Sequence, residues 1–272
     1  MKSVHYSHVG KRKKQEDYYG LIENKLYVLC DGVGGYKNGE VASKLVVDNT
    51  LKKFQTLEKP YNEINIQNLL FEVQLDLNLK LVELPDAVGM ATTFCGVFID
   101  EKAVYIAHRG DSRVYYIKSA TSQIWHTWDH AEARRLVEIN SITREEGRIH
   151  PNSHIIFPVF RANLNSKTVK ADITKISCIK ENDLIFICSD GIDEGWNEFE
   201  LMKVLCDTNT NIVEKLNTIK KVCSIKSYDN NTALLIEIEK EDEIFETTNT
   251  VIHWLNIDDF EKDYQHYLTK SK

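Results

Sequence analysis

Short apolar runs in this chain stop against aspartate. Leu26-Tyr27-Val28-Leu29-Cys30 ends at Asp31-Gly32, and Leu184 to Cys188 ends at Ser189-Asp190-Gly191. Asp229-Asn230-Asn231 opens the run from Thr232 to Ile238, and Asp111 sits in the connection Gly110-Asp111-Ser112-Arg113. Runs of this length and apolarity read as β-strands. A single Asp-Gly pair is an ordinary turn, since such dipeptides punctuate every class of protein. Four aspartates, each beside a short strand, fit convergence at one edge of a sheet core. Converging carboxylates repel one another and resist desolvation unless protons or hard cations compensate them. Mg²⁺ and Mn²⁺ do so through oxygen ligands and leave bound waters available for chemistry.

Around these strands the periodicity changes twice. From Gly39 to about Leu57, Val41, Ala42, Leu45, Val46, Leu51 and Phe54 fit a helix with one apolar side. A second helix is expected over Ile66 to Leu84, with Pro85 as its stop. Thr92 to Ile99, Ala103 to His108 and Arg113 to Ile117 then read as three successive antiparallel strands. His130 to Ile139 reads as a short helix, and Asn140 to Leu164 as irregular, fitting either a flap over a site or a plain surface excursion. Helical patterns return at Glu198 to Leu205 and Ile212 to Val222. Two helices, a run of strands, then further helices and strands make an α+β layered fold. Residues 1–240 are expected to form one domain. Residues 241–272 form an acidic, aromatic extension in which Ile252 to Leu268 fits an amphipathic helix. That extension fits packing on the domain, a partner-binding tail or a loose end.

The charge balance narrows the function classes. Lys plus Arg is 34 against 41 Asp plus Glu, a net charge of -7. A general nucleic-acid binder usually carries the opposite balance, so no nucleic-acid partner is expected. No apolar run approaches the length of a membrane span, and Met1 to Asp17 lacks the apolar core of a secretory signal. The six cysteines are scattered with no CxxC pair; Cys30, Cys95 and Cys188 lie in apolar runs and read as buried free thiols. A cytoplasmic protein is the resulting expectation.

Other chemistry-bearing residues rank below the aspartates. Arg12, in Gly10-Lys11-Arg12-Lys13-Lys14-Gln15-Glu16-Asp17, offers a planar fork for two phosphate oxygens. Glu16 is placed to hold metal-bound water and Asp17 to support the site from behind. Asp31-Gly32-Val33-Gly34-Gly35 leaves room for a ligand near the main chain, and the Gly32 carbonyl is a candidate metal ligand. It is neither a GxxxxGK[ST] run nor a full GxGxxG. Ser112 and Ser189 lie outside any GxSxG. His8, His108, His126 and His130 form no zinc-ligand spacing.

Taken in order, these segments resemble the metal-dependent serine/threonine protein phosphatases of type 2C, in their compact bacterial form. The signatures are Gly10-x-Arg12 with Glu16-Asp17, DGVGG at 31–35, ATT at 91–93, GDSR at 110–113, TWDH at 127–130, SDG at 189–191 and DNNT at 229–232. The resemblance covers about Val4 to Glu239. It implies a four-layer α-β-β-α sandwich of two antiparallel sheets flanked by helices, with the metal site at one end. It implies hydrolysis of phosphoserine and phosphothreonine by direct attack of a metal-bridging water, using two Mn²⁺ or Mg²⁺ ions. By that likeness Asp31 bridges the ions, Asp190 and Asp229 hold one side, and the Gly32 carbonyl and Glu16 serve the other. Asp111, with Asp190, matches a third metal position supported by Glu194, and Arg12 matches the phosphate-binding arginine. The implied partner is a phosphoprotein, opposed to a serine/threonine kinase.

The chain also departs from the pattern. Ala91 replaces the usual glycine of the GTT signature, and Val33 stands where many eukaryotic relatives place a histidine. The stretch after His150-Pro151 lacks the usual arginine-containing run, so flap support and peptide preference are expected to differ. The alternatives to an active phosphatase are a catalytically impaired, phosphoprotein-binding relative and a metal-dependent nuclease or other phosphoesterase.

Overall fold

The computed structural model describes residues 1–33, 38–101, 103–152, 156, 158–165, 169–177, 179–239 and 252–270. The chain opens with strands β1 (Lys2–His8), β2 (Asp17–Ile22) and β3 (Leu26–Asp31), followed by helices α1 (Gly39–Phe54) and α2 (Glu63–Glu83). Strands β4 (Ala91–Thr92), β5 (Phe94–Ile99), β6 (Ala103–Arg109), β7 (Arg113–Lys118) and β8 (Gln123–His126) come next. Short helices α3 (Glu132–Glu138) and α4 (Arg144–Arg148) precede β9 (Phe160–Arg161), β10 (Asp172–Ser177) and β11 (Leu184–Cys188). The chain continues through α5 (Gly191–Gly195), α6 (Glu198–Cys206), α7 (Ile212–Lys226) and β12 (Asn231–Glu237) to β13 (Leu255–Asn256) and α8 (Ile257–Lys270).

Two antiparallel sheets carry the core, with strand orders β1-β12-β11-β7-β8-β13 and β10-β6-β5-β3-β2. Strand alternation explains the layering. Along β3, Leu26, Val28 and Cys30 face α1 and α2, packing with Val46, Ile66 and Leu70. Tyr27 and Leu29 face the other way, into an inter-sheet layer with Val97, Ile106, Val114, Ile187 and Leu234. The outer face of the six-stranded sheet, through Tyr115 and Phe186, packs with Leu201, Leu216, Ile219 and Phe260 of α6, α7 and α8. Both faces of the central strands are therefore covered, which is why they read as unbroken apolar runs. The four-layer sandwich is as expected.

Several boundaries differ from the sequence reading for identifiable reasons. Helix α2 starts at Glu63 rather than Ile66 because Asn62 and Asn65 cap each other, the Asn62 side chain taking the Asn65 N–H at 3.0 Å. The expected strand from Thr92 to Ile99 breaks at Thr93, with β4 pairing β9 and β5 pairing β3 and β6. The third expected neighbour, β7, leaves the β5–β6 sheet and pairs with β11 and β8 in the other one. Gly110 makes that crossing at φ +114°, a conformation that suits glycine. The irregular stretch from Asn140 to Leu164 contains α4, capped by Thr143 and Glu146. Positions 34, 35, 154, 155 and 157, on which the glycine-cluster and flap readings bear, lie outside the described residues, as do 240–251 in the extension.

Helix α8 is docked by the start of α4. Phe260 is buried, the Arg144 guanidinium lies 4.6 Å from its ring, and the Arg144 N–H donates to Asp263 at 2.8 Å. On its other side that guanidinium donates to His126 Nε2 at 3.0 Å, while His126 Nδ1 lies 2.7 Å from the Thr127 carbonyl. An imidazole that accepts from one side and donates from the other is neutral. Burial first, and then Arg144, push its pKa down to about 4. The unfolded chain takes up a proton below its ordinary value near 6.5, which the native state refuses. The contribution is therefore complete above pH 6.5 and is lost as pH falls toward 4. Relative to His126→Gln, the wild-type advantage in urea unfolding should shrink by about 1.4 kcal/mol per pH unit across that window. An advantage independent of pH would contradict this assignment.

Candidate metal centre

The strand ends meet at one edge of the sandwich. Arg12, Glu16, Asp31, Gly32, Asp111, Asp190 and Asp229 line a single cavity of about 260 Å³, with Thr93 and Asn230. The seven residues singled out as ligands or phosphate clamp are thus brought together from five separate segments. Asp17 and Glu194 stand behind them.

Local hydrogen bonds hold each acidic segment. Asp31 closes β3; its N–H donates to Thr93 Oγ1 at 2.9 Å, and its carbonyl accepts from the Thr92 hydroxyl at 2.7 Å. The Thr93 hydroxyl also lies 2.7 Å from Ser112 Oγ, which couples the Asp31 and Asp111 segments. Asn230 plays the same part across the cavity. Its Oδ1 accepts the Glu16 N–H at 2.7 Å, and its Nδ2 donates to the carbonyls of Val9 and Lys14 at 2.8 and 2.9 Å. Asp17, pressed behind Asp31 in the β2–β3 register, accepts from Ser189 Oγ at 2.8 Å. Thr93 and Asn230 are not among the residues the sequence singles out, and Ser112 enters there only as a rejected nucleophile, although each lies inside a quoted motif. Their hydroxyl and amide chemistry is common in loops, so only the pairing reveals the role.

Close backbone packing makes two glycines obligatory. Gly10 sits at φ +60°, and a Cβ there would lie 2.0 Å from the Asp229 carbonyl oxygen. At Gly32 a Cβ would lie 2.5 Å from the backbone of Gly39.

The electrostatics are those of acids short of cations. Burial, reinforced by Asp17, Asp190 and Asp111, pushes the Asp31 carboxyl well above its ordinary range. Burial and then Asp190 and Asp129 do the same to Asp111, against the opposing pull of Arg113. Asp190 is raised by burial and by Asp229. Asp31 and Asp190 nevertheless keep a partly exposed edge on the cavity. Desolvation here comes from the dense protein behind them rather than from complete enclosure.

Two carboxylates are already engaged. Asp229 Oδ2 lies 2.5 Å from the Arg12 guanidinium, in a pair that is partly exposed on both sides. Glu194, expected to support the site from behind, accepts the N–H groups of Tyr228 and Asp229 at 2.6 and 2.9 Å. It thereby anchors the segment that carries Asp229. Its neighbour Asp193 is held by Arg113 at 2.5 Å.

The donors suit a hard divalent cation. Among the described residues, the polar groups around the cavity are five carboxylates, a backbone carbonyl, the Thr93 hydroxyl, the Asn230 amide and the Arg12 guanidinium, with no imidazole or thiol. No three of them are drawn into a finished cage. That is the arrangement expected of acids that repel one another, one of which is held by an arginine.

The sequence matches the family model described as protein phosphatase 2C over residues 5–224. The chain belongs to the protein phosphatase 2C family. It is 30% identical to the serine/threonine phosphatase stp of Listeria innocua, over 83% of this chain and 91% of that protein. The fold is similar to that of the serine/threonine phosphatase Stp1 from Staphylococcus aureus, with a TM-score of 0.76 and 31% identity, covering 88% of this chain and 95% of that one. It also resembles the catalytic domain of the phosphatase PstP, solved in complex with two manganese ions, with a TM-score of 0.72 and 22% identity over 88% of this chain and 98% of that one. The shared span includes every acidic segment at the cavity except the last, since Asp229 lies just beyond the family match.

Proposed function

We propose that this member of the protein phosphatase 2C family hydrolyses phosphoserine and phosphothreonine in proteins at the cavity lined by Arg12, Asp31, Asp111, Asp190 and Asp229. The observation that carries the reading is the convergence of five carboxylates and one arginine on a single cavity. Asp31, Asp190 and Asp229, with Glu16 and the Gly32 carbonyl, would hold two Mn²⁺ or Mg²⁺ ions, and Asp111 with Asp190 would hold a third. Bound divalent cations supply Lewis-acid polarisation of phosphoryl oxygens and a water ionised near neutral pH. The two manganese ions of the PstP structure support that choice of group. Asp17 and Glu194 fix the loops from behind. The thiols nearest the strand ends, Cys30 and Cys188, are buried, so neither is presented to a phosphoryl group. Water is the acceptor this arrangement favours.

Arg12 gives the anion its geometry. Its guanidinium is about half exposed at the cavity, where the planar fork can leave Asp229 for two phosphoryl oxygens. The catalytic unit is residues 1–240, with 241–272 as an extension carrying α8. The phosphoryl group must be supplied by a serine/threonine kinase in the same compartment, which we take to be the cytoplasm. Among the described residues no helix is long and apolar enough to cross a membrane.

The direct test is phosphate release from phosphothreonine and phosphotyrosine peptides, with and without Mn²⁺. Metal-dependent release from phosphothreonine is expected. Release from phosphotyrosine alone, or binding without release, would overturn the reading. In the same assay Arg12→Ala should lower kcat/KM roughly 10- to 100-fold, mostly through KM, as expected for losing a charge-assisted pair of hydrogen bonds to substrate. An unchanged KM would remove Arg12 from the phosphate site.

A further inference from the structure

Beside the metal cavity lies a larger groove, of about 580 Å³, which the hydrolytic reading does not use. Asp129 belongs to both sides. It lines this groove, and it also lines a cavity shared by Arg12, Asp111, Asp190 and Asp229. His130, the next residue, lines the groove and clasps the Asp111 segment, its N–H donating to the Gly110 carbonyl at 2.8 Å and its Nδ1 accepting the Gly110 N–H at 3.0 Å. The groove and the reaction site are therefore back to back across one short segment, 127–131.

The lining has a definite chemistry. Trp125 and Trp128 give it aromatic walls. Glu132, Glu138 and Asp172 are exposed along the rim, where Arg135 is the cation among the described lining residues. Asp129 adds no free charge, because Arg113 and Arg134 hold its carboxylate. Deeper in the groove, His108 is 2% exposed and stacks on His130 at 4.7 Å between ring centroids. Its Nε2 has no hydrogen-bond partner among the described residues. Burial and the neighbouring His130 keep the ring neutral. A buried polar atom without a partner costs free energy.

Resting on the phosphatase reading, we propose that this groove is a substrate subsite that binds Lys or Arg residues flanking the phosphorylated residue. A phosphoprotein chain does not end at its phosphate, and the segment leaving the metal cavity must cross the neighbouring surface. Side chains that carry a cation on an apolar stem fit the groove on two counts. The rim is net acidic, and indole faces attract ammonium and guanidinium groups. Arg144 already lies 5.0 Å from the ring of Trp128, so an incoming cation meets chiefly Trp125 and the rim acids. Acidic flanking sequences meet repulsion from the same rim.

The test compares three substrates under saturating Mn²⁺: a phosphothreonine peptide with two arginines near the phosphate, the same peptide with two glutamates there, and p-nitrophenyl phosphate. Wild-type kcat/KM should favour the arginine peptide by about tenfold, as a few partly exposed ion pairs and one cation–π contact would give. In the double variant Glu132→Lys and Glu138→Lys that preference should vanish or invert through KM, while turnover of p-nitrophenyl phosphate stays the same. The exchanged side chains are exposed on α3, so folding is not at stake; matched thermal melts check it. Equal use of both peptides by wild type, or an unaltered preference in the variant, would overturn the subsite alone. No release from any substrate would overturn the phosphatase reading and the subsite with it.

Discussion

Asp31→Asn should lose phosphatase turnover by about 10³-fold and yet melt at a higher temperature than wild type in the absence of added metal. The first effect follows from position. Asp31 closes the central strand β3 and lies among Asp17, Asp190 and Asp111, which dominate its electrostatic surroundings. In the proposed site it would be a ligand of the cations, and Lewis-acid stabilisation is worth several kcal/mol, with about 1.4 kcal/mol per tenfold in rate. The second effect follows from charge. Burial and three neighbouring acids push the Asp31 carboxyl above its ordinary range. A raised carboxylate pKa means that ionisation weakens the fold at neutral pH. An isosteric amide removes that repulsion and adds a donor toward the remaining acids. A gain of about 1 kcal/mol corresponds to roughly 2–4 °C for a chain of this size. Calorimetry in chelator, alongside turnover in Mn²⁺, reads both. Normal turnover would dismiss Asp31 from the centre, and a lower melting temperature would show that its charge is already compensated.

That opposition between stability and function is also what made the centre legible. One aspartate at the end of an apolar strand is an ordinary turn residue, but four converging on one buried edge mark a place where the fold accepts a cost. Asp31, Asp190 and Asp229 could be picked out because their strands are covered on both faces and so stand out as apolar runs. The half-exposed strands β1, β2, β8 and β10 carry mixed residues and gave no such signal. The passage of the chain from β6 to β7 was misread because a connection of three residues, Gly110 to Ser112, looks the same whether it folds back within a sheet or crosses to the facing one. The Thr93–Ser112 contact, absent from any local pattern, shows that the two sheets meet there. The role of Glu194 rests on the resemblance alone, since it stands where relatives carry an aspartate after the SDG signature. The turn of α5 decides its direction, and it points at the backbone of Tyr228 and Asp229.

The charge lattice around Arg113 was legible least of all, and it should be the most sensitive structural element beside the site. Arg113 donates to both oxygens of Asp129, at 2.6 and 2.7 Å, and to Asp193 at 2.8 Å. Arg134 donates to the same Asp129 at 3.0 Å, and Arg144 to Glu198 at 3.0 Å. Arg113, Asp129, Arg134 and Glu198 are buried and Arg144 and Asp193 only slightly exposed, so three arginines balance three acids largely away from water. The lattice joins β7 to α3, α4 and α6, and so fixes the segments of Asp111 and Asp190 against the region after β8. Burial alone would raise the Asp129 carboxyl, yet Arg113 and then Arg134 hold it below its ordinary range. Arg113→Met keeps the apolar stem and removes only the guanidinium, which leaves one buried negative charge without a partner. Breaking a buried pair in this way costs about 3–5 kcal/mol. The loss should be largest at neutral pH. As pH falls, the surplus negative charge that Asp129 and Asp193 then share around Arg134 takes up a proton in the native variant, so the gap to wild type narrows. Urea unfolding of both proteins at pH 7 and pH 5 measures the two gaps; a variant within 1 kcal/mol of wild type at pH 7, below the ~3 kcal/mol floor for a broken buried pair, would mean that Arg134 alone compensates both aspartates.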